Sequence, residues 1–176
     1  MIDLDAIGIL IADAVELATG ITVIIANQDA PRPEEPYATV HVTPSNKIGL
    51  DRVTYANDTG SDLDETIEGH RTLTASLNFF KKGAANNAST FKTKLQGNEQ
   101  ITFFKVNGLG FVSANEIKEL SEVIKNLWEE RVQFDLVFHA LSNFTETVTA
   151  IEEANIEGVA ESGNNATNVN ININNT

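Results

Sequence analysis

Two ten-residue segments alternate apolar and largely polar side chains, and that period of two constrains the fold more than any other feature of the chain. From Arg71 to Phe80, Leu73, Ala75, Leu77 and Phe79 alternate with Thr72, Thr74, Ser76 and Asn78. From Arg131 to Ala140, Val132, Phe134, Leu136, Phe138 and Ala140 alternate with Arg131, Gln133, Asp135, Val137 and His139. Successive side chains of a strand point to opposite faces, so each segment predicts a strand buried on one face. A sheet of such strands needs helices on its apolar side only.

The remaining periodicities supply those helices and further strands. Leu4, Ile7, Leu10, Ile11, Ala14, Val15 and Ala18 recur at helical spacing, and Gly20 closes the helix. Ile21 to Ala26 reads as a short strand. Asn27 to Pro33 reads as a stiff loop, because Pro31 and Pro33 fix their own φ angles and push the preceding residues towards extended geometry. Pro36 to Thr43 alternates as a half-buried strand, Ile48 to Tyr55 can pair with it, and Asn57 to Asp62 reads as an exposed acidic turn. Ala84 to Gln96 predicts a helix with Ala84, Ala88, Phe91 and Leu95 inward, stopped by Gly97. Ile101–Val106 and Gly110–Val112 suggest a small hairpin turning at Asn107-Gly108. Ile117, Leu120, Ile124, Leu127 and Trp128 fit a helical stripe, with a strand and a bend as the alternative. Thr145 to Ile156 is expected to return antiparallel to the second alternating segment through Ser142-Asn143. The expected fold class is α/β in the α+β sense: a mixed, mostly antiparallel sheet flanked by two or three helices.

With 176 residues the chain suits one compact domain over residues 1–158, followed by an Asn-rich tail over 159–176. Val169, Ile171 and Ile173 alternate within that tail, which fits a strand added to the sheet edge of a neighbour. The absence of cysteine excludes disulfide staples and thiolate zinc sites and suits a reducing cytoplasm. Near the amino terminus the longest apolar run, Ile7 to Ala12, is far short of a membrane span, and Asp3 and Asp5 stand where a signal peptide carries positive charge. No membrane association is therefore expected.

The net charge is −13, yet residues 71–110 carry Arg71, Lys81, Lys82, Lys92, Lys94 and Lys105 against Glu99 alone. A strongly acidic protein repels phosphates everywhere except at such an island, which argues against sequence-specific DNA binding. The island reads either as a solvated surface or as a docking patch for an acidic protein.

Signatures of catalysis are missing. His41, His70 and His139 lie far apart and at no metal-ligand spacing. Gly108-Leu109-Gly110 lacks the third glycine of a dinucleotide loop, and Asp58, Asp62, Asp64 and Glu65 do not follow a calcium-loop pattern. No serine sits in a Gly-x-Ser-x-Gly elbow. No catalytic residue, metal or cofactor is expected. A metal-dependent hydrolase built on the histidines is the weaker alternative.

Ala26-Asn27-Gln28-Asp29-Ala30-Pro31-Arg32-Pro33, leading to Pro36-Tyr37-Ala38-Thr39-Val40, resembles the opening of the phage neck terminator family. Gly69-His70-Arg71 with its strand, Glu130-Arg131-Val132 with its strand, and Thr147-Val148-Thr149-Ala150-Ile151-Glu152 follow in the same order, so the resemblance spans residues 4 to 158. It implies a non-enzymatic virion protein of the head–tail neck, assembled in the cytoplasm of a bacterial host. It further implies a tail-terminator-like fold and a homo-hexameric ring that caps the tail tube. Its implied partners are the tail tube protein, a tail sheath protein and the head-completion or connector proteins, with DNA passing through the ring. The rival is a soluble adaptor or binding module unrelated to phages. The residues expected to make contacts are Asn27, Arg32, Arg71, Lys81, Lys82, Lys105, Val169, Ile171 and Ile173.

Overall fold

The computed structural model describes residues 2–29, 31–43, 46–59, 62–124, 126–149, 153–162 and 165–174. Among the described residues three helices, α1 (Leu4–Thr19), α2 (Ala84–Lys94) and α3 (Asn98–Val106), accompany eleven strands. The strands are β1 (Thr22–Ile25), β2 (Tyr37–Thr43), β3 (Lys47–Thr59), β4 (Asp62–Phe80), β5 (Leu109–Ala114), β6 (Lys118–Glu119), β7 (Glu122–Ile124), β8 (Leu127–Glu129), β9 (Arg131–Thr149), β10 (Glu153–Ser162) and β11 (Asn165–Asn174). The main sheet runs β1-β2-β4-β9-β5, with β3 on β4 and β6 on β9. Strands β1 and β2 pair in parallel. The pairs β2–β4, β5–β9 and β6–β9 are antiparallel. Side-chain bonds from Ser76 to Asp135 and from Arg131 to Asn78 link β4 and β9 in the same opposed sense. This is an α+β fold with a mostly antiparallel sheet, as the alternating segments predict.

Two compact units divide the chain: Met1–Asp51 with Glu68–Asn143, and Arg52–Ile67 with Phe144–Thr176. The first holds the core. Leu73, Ala75, Leu77 and Phe79 of the first alternating segment and Val132, Phe134, Leu136, Phe138 and Ala140 of the second are buried, together with Ala38 and Val40. Helix α1 covers β1 and β2 with Ile11, Ala12, Ala14, Val15 and Ala18, and α2 adds Ala84, Ala88 and Phe91. Phe134 stacks on Phe79 at 5.9 Å between ring centroids and meets Phe91 at 6.4 Å. The ends of α1 follow from its sequence. Asp3 Oδ1 accepts hydrogen bonds from the Asp5 and Ala6 N–H groups at 3.0 Å, satisfying first-turn donors. Gly20, at φ 73°, takes the left-handed position that ends the helix, and its N–H donates to the Glu16 carbonyl at 2.8 Å.

In the second unit, Thr54 Oγ1 donates to the Thr66 carbonyl, Thr147 Oγ1 donates to Asp64, and the hydroxyls of Thr66 and Thr145 lie 3.1 Å apart. Strands β10 and β11 form an antiparallel hairpin in which Ala154, Ile156 and Gly158 oppose Ile173, Ile171 and Val169. The partner described for β11 thus belongs to its own chain.

Five segments differ from expectation. Strand β3, which holds Ile48–Tyr55, pairs with β4 and not with β2, because β1 and β4 occupy the two edges of β2. Ile101–Val106 is the body of α3, not a strand: Gln100 and Phe104, four apart, are its buried residues, and a six-residue segment is too short to show that helical period. The stripe from Ile117 to Trp128 is no helix. The alternative of strand and bend holds: β6, β7 and β8 lie within it, and Leu120, Val123, Leu127 and Trp128 are exposed. Strand β9 runs on through Ser142-Asn143 to Thr149 instead of turning there, and residues 150–152 of the expected return lie outside the described residues. Asn57–Thr59 extend β3 and Asp62 begins β4, while Gly60 and Ser61 of the expected turn lie outside the described residues.

Candidate interaction surface

The connection between β4 and α2 requires unusual backbone. Lys81 has φ 71° and Gly83 has φ 86°, both left-handed. Glycine takes that conformation without strain, whereas lysine does so only when held. Here the Lys81 N–H donates to the Glu130 carbonyl at 2.9 Å, and the Gly83 N–H donates to Glu130 Oε2 at 2.8 Å. Glu130 therefore fastens this corner to the start of β9 and presents Lys81 and Lys82 beside it.

The β7–β8 hairpin stands against the same corner. Ile124 pairs with Leu127, Asn126 just before β8 is left-handed at φ 64°, and Val123 opposes Trp128. Ser121 Oγ accepts the Arg131 N–H at 3.2 Å, and the Leu120 N–H donates to the Arg131 carbonyl at 2.8 Å, tying the hairpin's base to β9. Its apolar side chains point outward. Val123 is 62% exposed, Leu127 73% and Trp128 66%. Two hollows flank Trp128: one of about 530 Å³ lined by Lys81, Lys82, Ile124, Leu127, Glu129 and Glu130, and one of about 410 Å³ that reaches Ala85, Ile117 and Val132. Exposed aromatic and aliphatic side chains thus stand beside two lysines at this corner.

The stiff loop joins this surface through Arg32. Its guanidinium lies over the rings of Tyr37 at 5.8 Å and Phe80 at 5.3 Å, its Nε donates to Tyr37 Oη at 2.5 Å, and it pairs with Glu129. Arg131 also lies over the Phe80 ring, at 5.2 Å. Cation–π contact and the ion pair fix the loop to β8.

Of the residues singled out from sequence, Arg32, Lys81 and Lys82 meet at this surface. Asn27 is exposed in a left-handed turn after β1. Lys105 is exposed in the last turn of α3, where a cation complements the helix dipole. Lys92 and Lys94 are engaged within the chain, donating at 2.6 Å to the carbonyls of Asn115 and Ala18. Val169, Ile171 and Ile173 lie on β11. His41, His70 and His139 are exposed on three different strands, and among the described residues no cluster of three metal-ligating side chains occurs. The sequence reading missed Val123, Leu127 and Trp128 as surface residues. The available signal was Asn126, a turn-favouring residue between two short apolar runs.

Arg71 is committed elsewhere. Its Nη1 and Nη2 donate to Asp51 Oδ1 and Oδ2 at 2.7 and 3.1 Å, and Lys47 reaches Asp51 from the other side at 3.0 Å. A Cβ on Gly69 would overlap both partners, so the ion pair packs over the space that glycine leaves. The Arg71 hydrogen bond, aided by Lys47, lowers the Asp51 carboxyl to about 2. A carboxyl with a depressed folded-state pKa stabilises the fold above its unfolded value, about 3.9, and loses that contribution as pH falls through the folded value. The Asp51 carboxyl carbon should therefore titrate near 2 by NMR. In Arg71→Gln its midpoint should rise towards 3.9, and an unmoved midpoint would refute the assignment.

Fold and surface together define a small α+β protein with exposed apolar side chains on its β7–β8 hairpin. A family model described as phage neck terminator protein matches residues 5–163. The chain belongs to that family, which gives it a structural role in the neck of a bacteriophage. The family is not one of enzymes, and the match runs five residues past Gly158, through the end of β10 to residue 163. No curated protein matches the sequence. Among the described residues no helix is long and apolar enough to cross a membrane.

Proposed function

We propose that six copies of this chain form a ring that caps the tail tube, joins it to the head-completion proteins and, where the tail has a sheath, meets the sheath end. Assembly takes place in the host cytoplasm, and DNA passes through the ring without sequence-specific binding. The observation that carries this reading is the exposed Val123–Leu127–Trp128 surface beside Lys81 and Lys82, in a chain that belongs to a neck family. Apolar side chains held outward on a short hairpin gain their free energy only when another surface covers them.

A net charge of −13 per copy supports the passage of DNA, because carboxylates facing a channel repel phosphates and keep the duplex moving. Electron microscopy of the purified chain mixed with bare tail tubes tests the proposal. The expected image is a six-membered ring with a central opening at one tube end. Tubes left bare at every concentration would refute the capping role, and an opening lined by Lys81, Lys82 and Lys105 would refute the account of DNA passage.

A further inference from the structure

The hollow beside Trp128 has a definite electrostatic demand. Of its two carboxylates, Glu129 is paired with Arg32 and Glu130 accepts the Gly83 N–H. Among the described residues the ammonium groups of Lys81 and Lys82 have no carboxylate partner. What fits there is an apolar ridge flanked by negative charge.

The chain carries such a ridge itself. On α1, Asp5, Ile9, Asp13 and Leu17 stand four residues apart and share one line along the helix. Ile9 and Leu17 are each 55% exposed although the opposite side of the same helix builds the core. Neither Asp5 nor Asp13 has a cation partner among the described residues, whereas Glu16 beside them accepts the Val23 N–H. Exposed aliphatic side chains alternating with unpaired carboxylates complement exposed apolar groups beside unpaired lysines.

We infer that the outer ridge of α1 in one copy seats in the Trp128 groove of the next. The inference rests on the ring reading above and names the contact that would build it. Helix α1 covers β1 and β2, while the groove is made by the β4–α2 corner and the β7–β8 hairpin, so the two surfaces belong to different elements. A contact between unlike faces repeats head to tail and gives a ring when its rotation closes. Ile9 and Leu17 stand about 12 Å apart along the helix, so the ridge offers two aliphatic side chains to the groove.

Charge exchange tests it, with assembly followed by native mass measurement in solution and by imaging on purified tail tubes. Lys81→Glu with Lys82→Glu in one chain, or Asp5→Lys with Asp13→Lys in another, should weaken self-association by about tenfold or more, since each replaces two attractions by repulsions. A chain carrying all four changes should recover association to within about threefold of the parent, which a merely misfolded variant cannot do. Thermal melts check that each variant folds. The chain has no cysteine, so mixing Asp13→Cys with Lys82→Cys should give a disulfide-linked dimer on oxidation, and mixing Asp13→Cys with Lys105→Cys should not.

If the parent assembles and both reversals assemble equally well, this contact is wrong and the ring stands. Loss in both reversals without recovery in the exchanged chain also overturns it. Groove reversals that leave self-association intact but abolish tube capping would identify the groove's occupant as a tube or connector protein instead. A parent that stays monomeric both free and on tails removes the ring and this contact together.

Discussion

Phe134→Ala should destabilise the chain by about 3–5 kcal/mol, the range for removing a large aromatic side chain from a packed interior. Phe134 is buried on β9, stacked on Phe79 of β4 and touching Phe91 of α2, so its ring joins the two central strands to the helix above them. The neighbours cannot close the gap cheaply, because β4 and β9 are neighbours in one sheet and Phe91 sits on a helix packed by Ala84 and Ala88. A domain's whole stability is about 5–15 kcal/mol, so this one change removes a large share of it. For a chain of this size the melting temperature should fall by roughly 6–20 °C in calorimetry or circular dichroism. Phe134→Leu, which leaves a smaller cavity, should fall between the variant and the parent. A drop of less than about 2 °C for the alanine variant would mean that this ring is not at the centre of the core.

The same residue shows why much of the fold is legible in the sequence. Phe134 lies in a segment whose period of two persists for ten residues, and burial at every second position is the only arrangement that satisfies it. Helix α1 is legible for a similar reason: seven apolar positions at helical spacing end at a glycine, and Gly20 occupies the left-handed cap. Where apolar runs are short, the pattern carries less information. Ile101–Val106 fits either period, and Gln100, whose Nε2 donates to the Ala14 carbonyl, settles the matter through a tertiary contact with α1 that local sequence does not reveal. Ser142-Asn143 looks like a turn because both residues favour turns in isolation. In β9 the strand continues beyond them, and the Thr66–Thr145 and Asp64–Thr147 bonds show the pairing that supports it.

The contact surface was half legible. Lys81 and Lys82 stand out as charges, and Arg32 stands out in a proline-stiffened loop. Trp128 does not, because a tryptophan among aliphatic residues at helical spacing has the same pattern whether it is core or surface. Its exposure depends on the left-handed turn at Asn126, which folds β7 onto β8 and leaves Val123 opposite Trp128.

Trp128→Ala should leave the monomer intact and disable its assembly. With 66% of its surface exposed, the indole contributes little to the fold, so the melting temperature of the variant should stay within about 2 °C of the parent. Once covered by a neighbour it becomes the largest apolar side chain of the contact, flanked by two hollows and rimmed by charge, which is the setting in which tryptophan truncation costs about 2–4 kcal/mol. Association should therefore weaken by roughly thirtyfold to a thousandfold. The chain has a single tryptophan, so fluorescence reports this position alone. The emission of the parent should shift to the blue as concentration drives assembly, because the indole leaves water. Trp128→Phe should retain part of the association, since a ring remains to fill the contact. An emission maximum that stays at its monomer position while native mass shows assembled rings would place Trp128 outside every subunit contact and leave the groove open for another neck or tail protein.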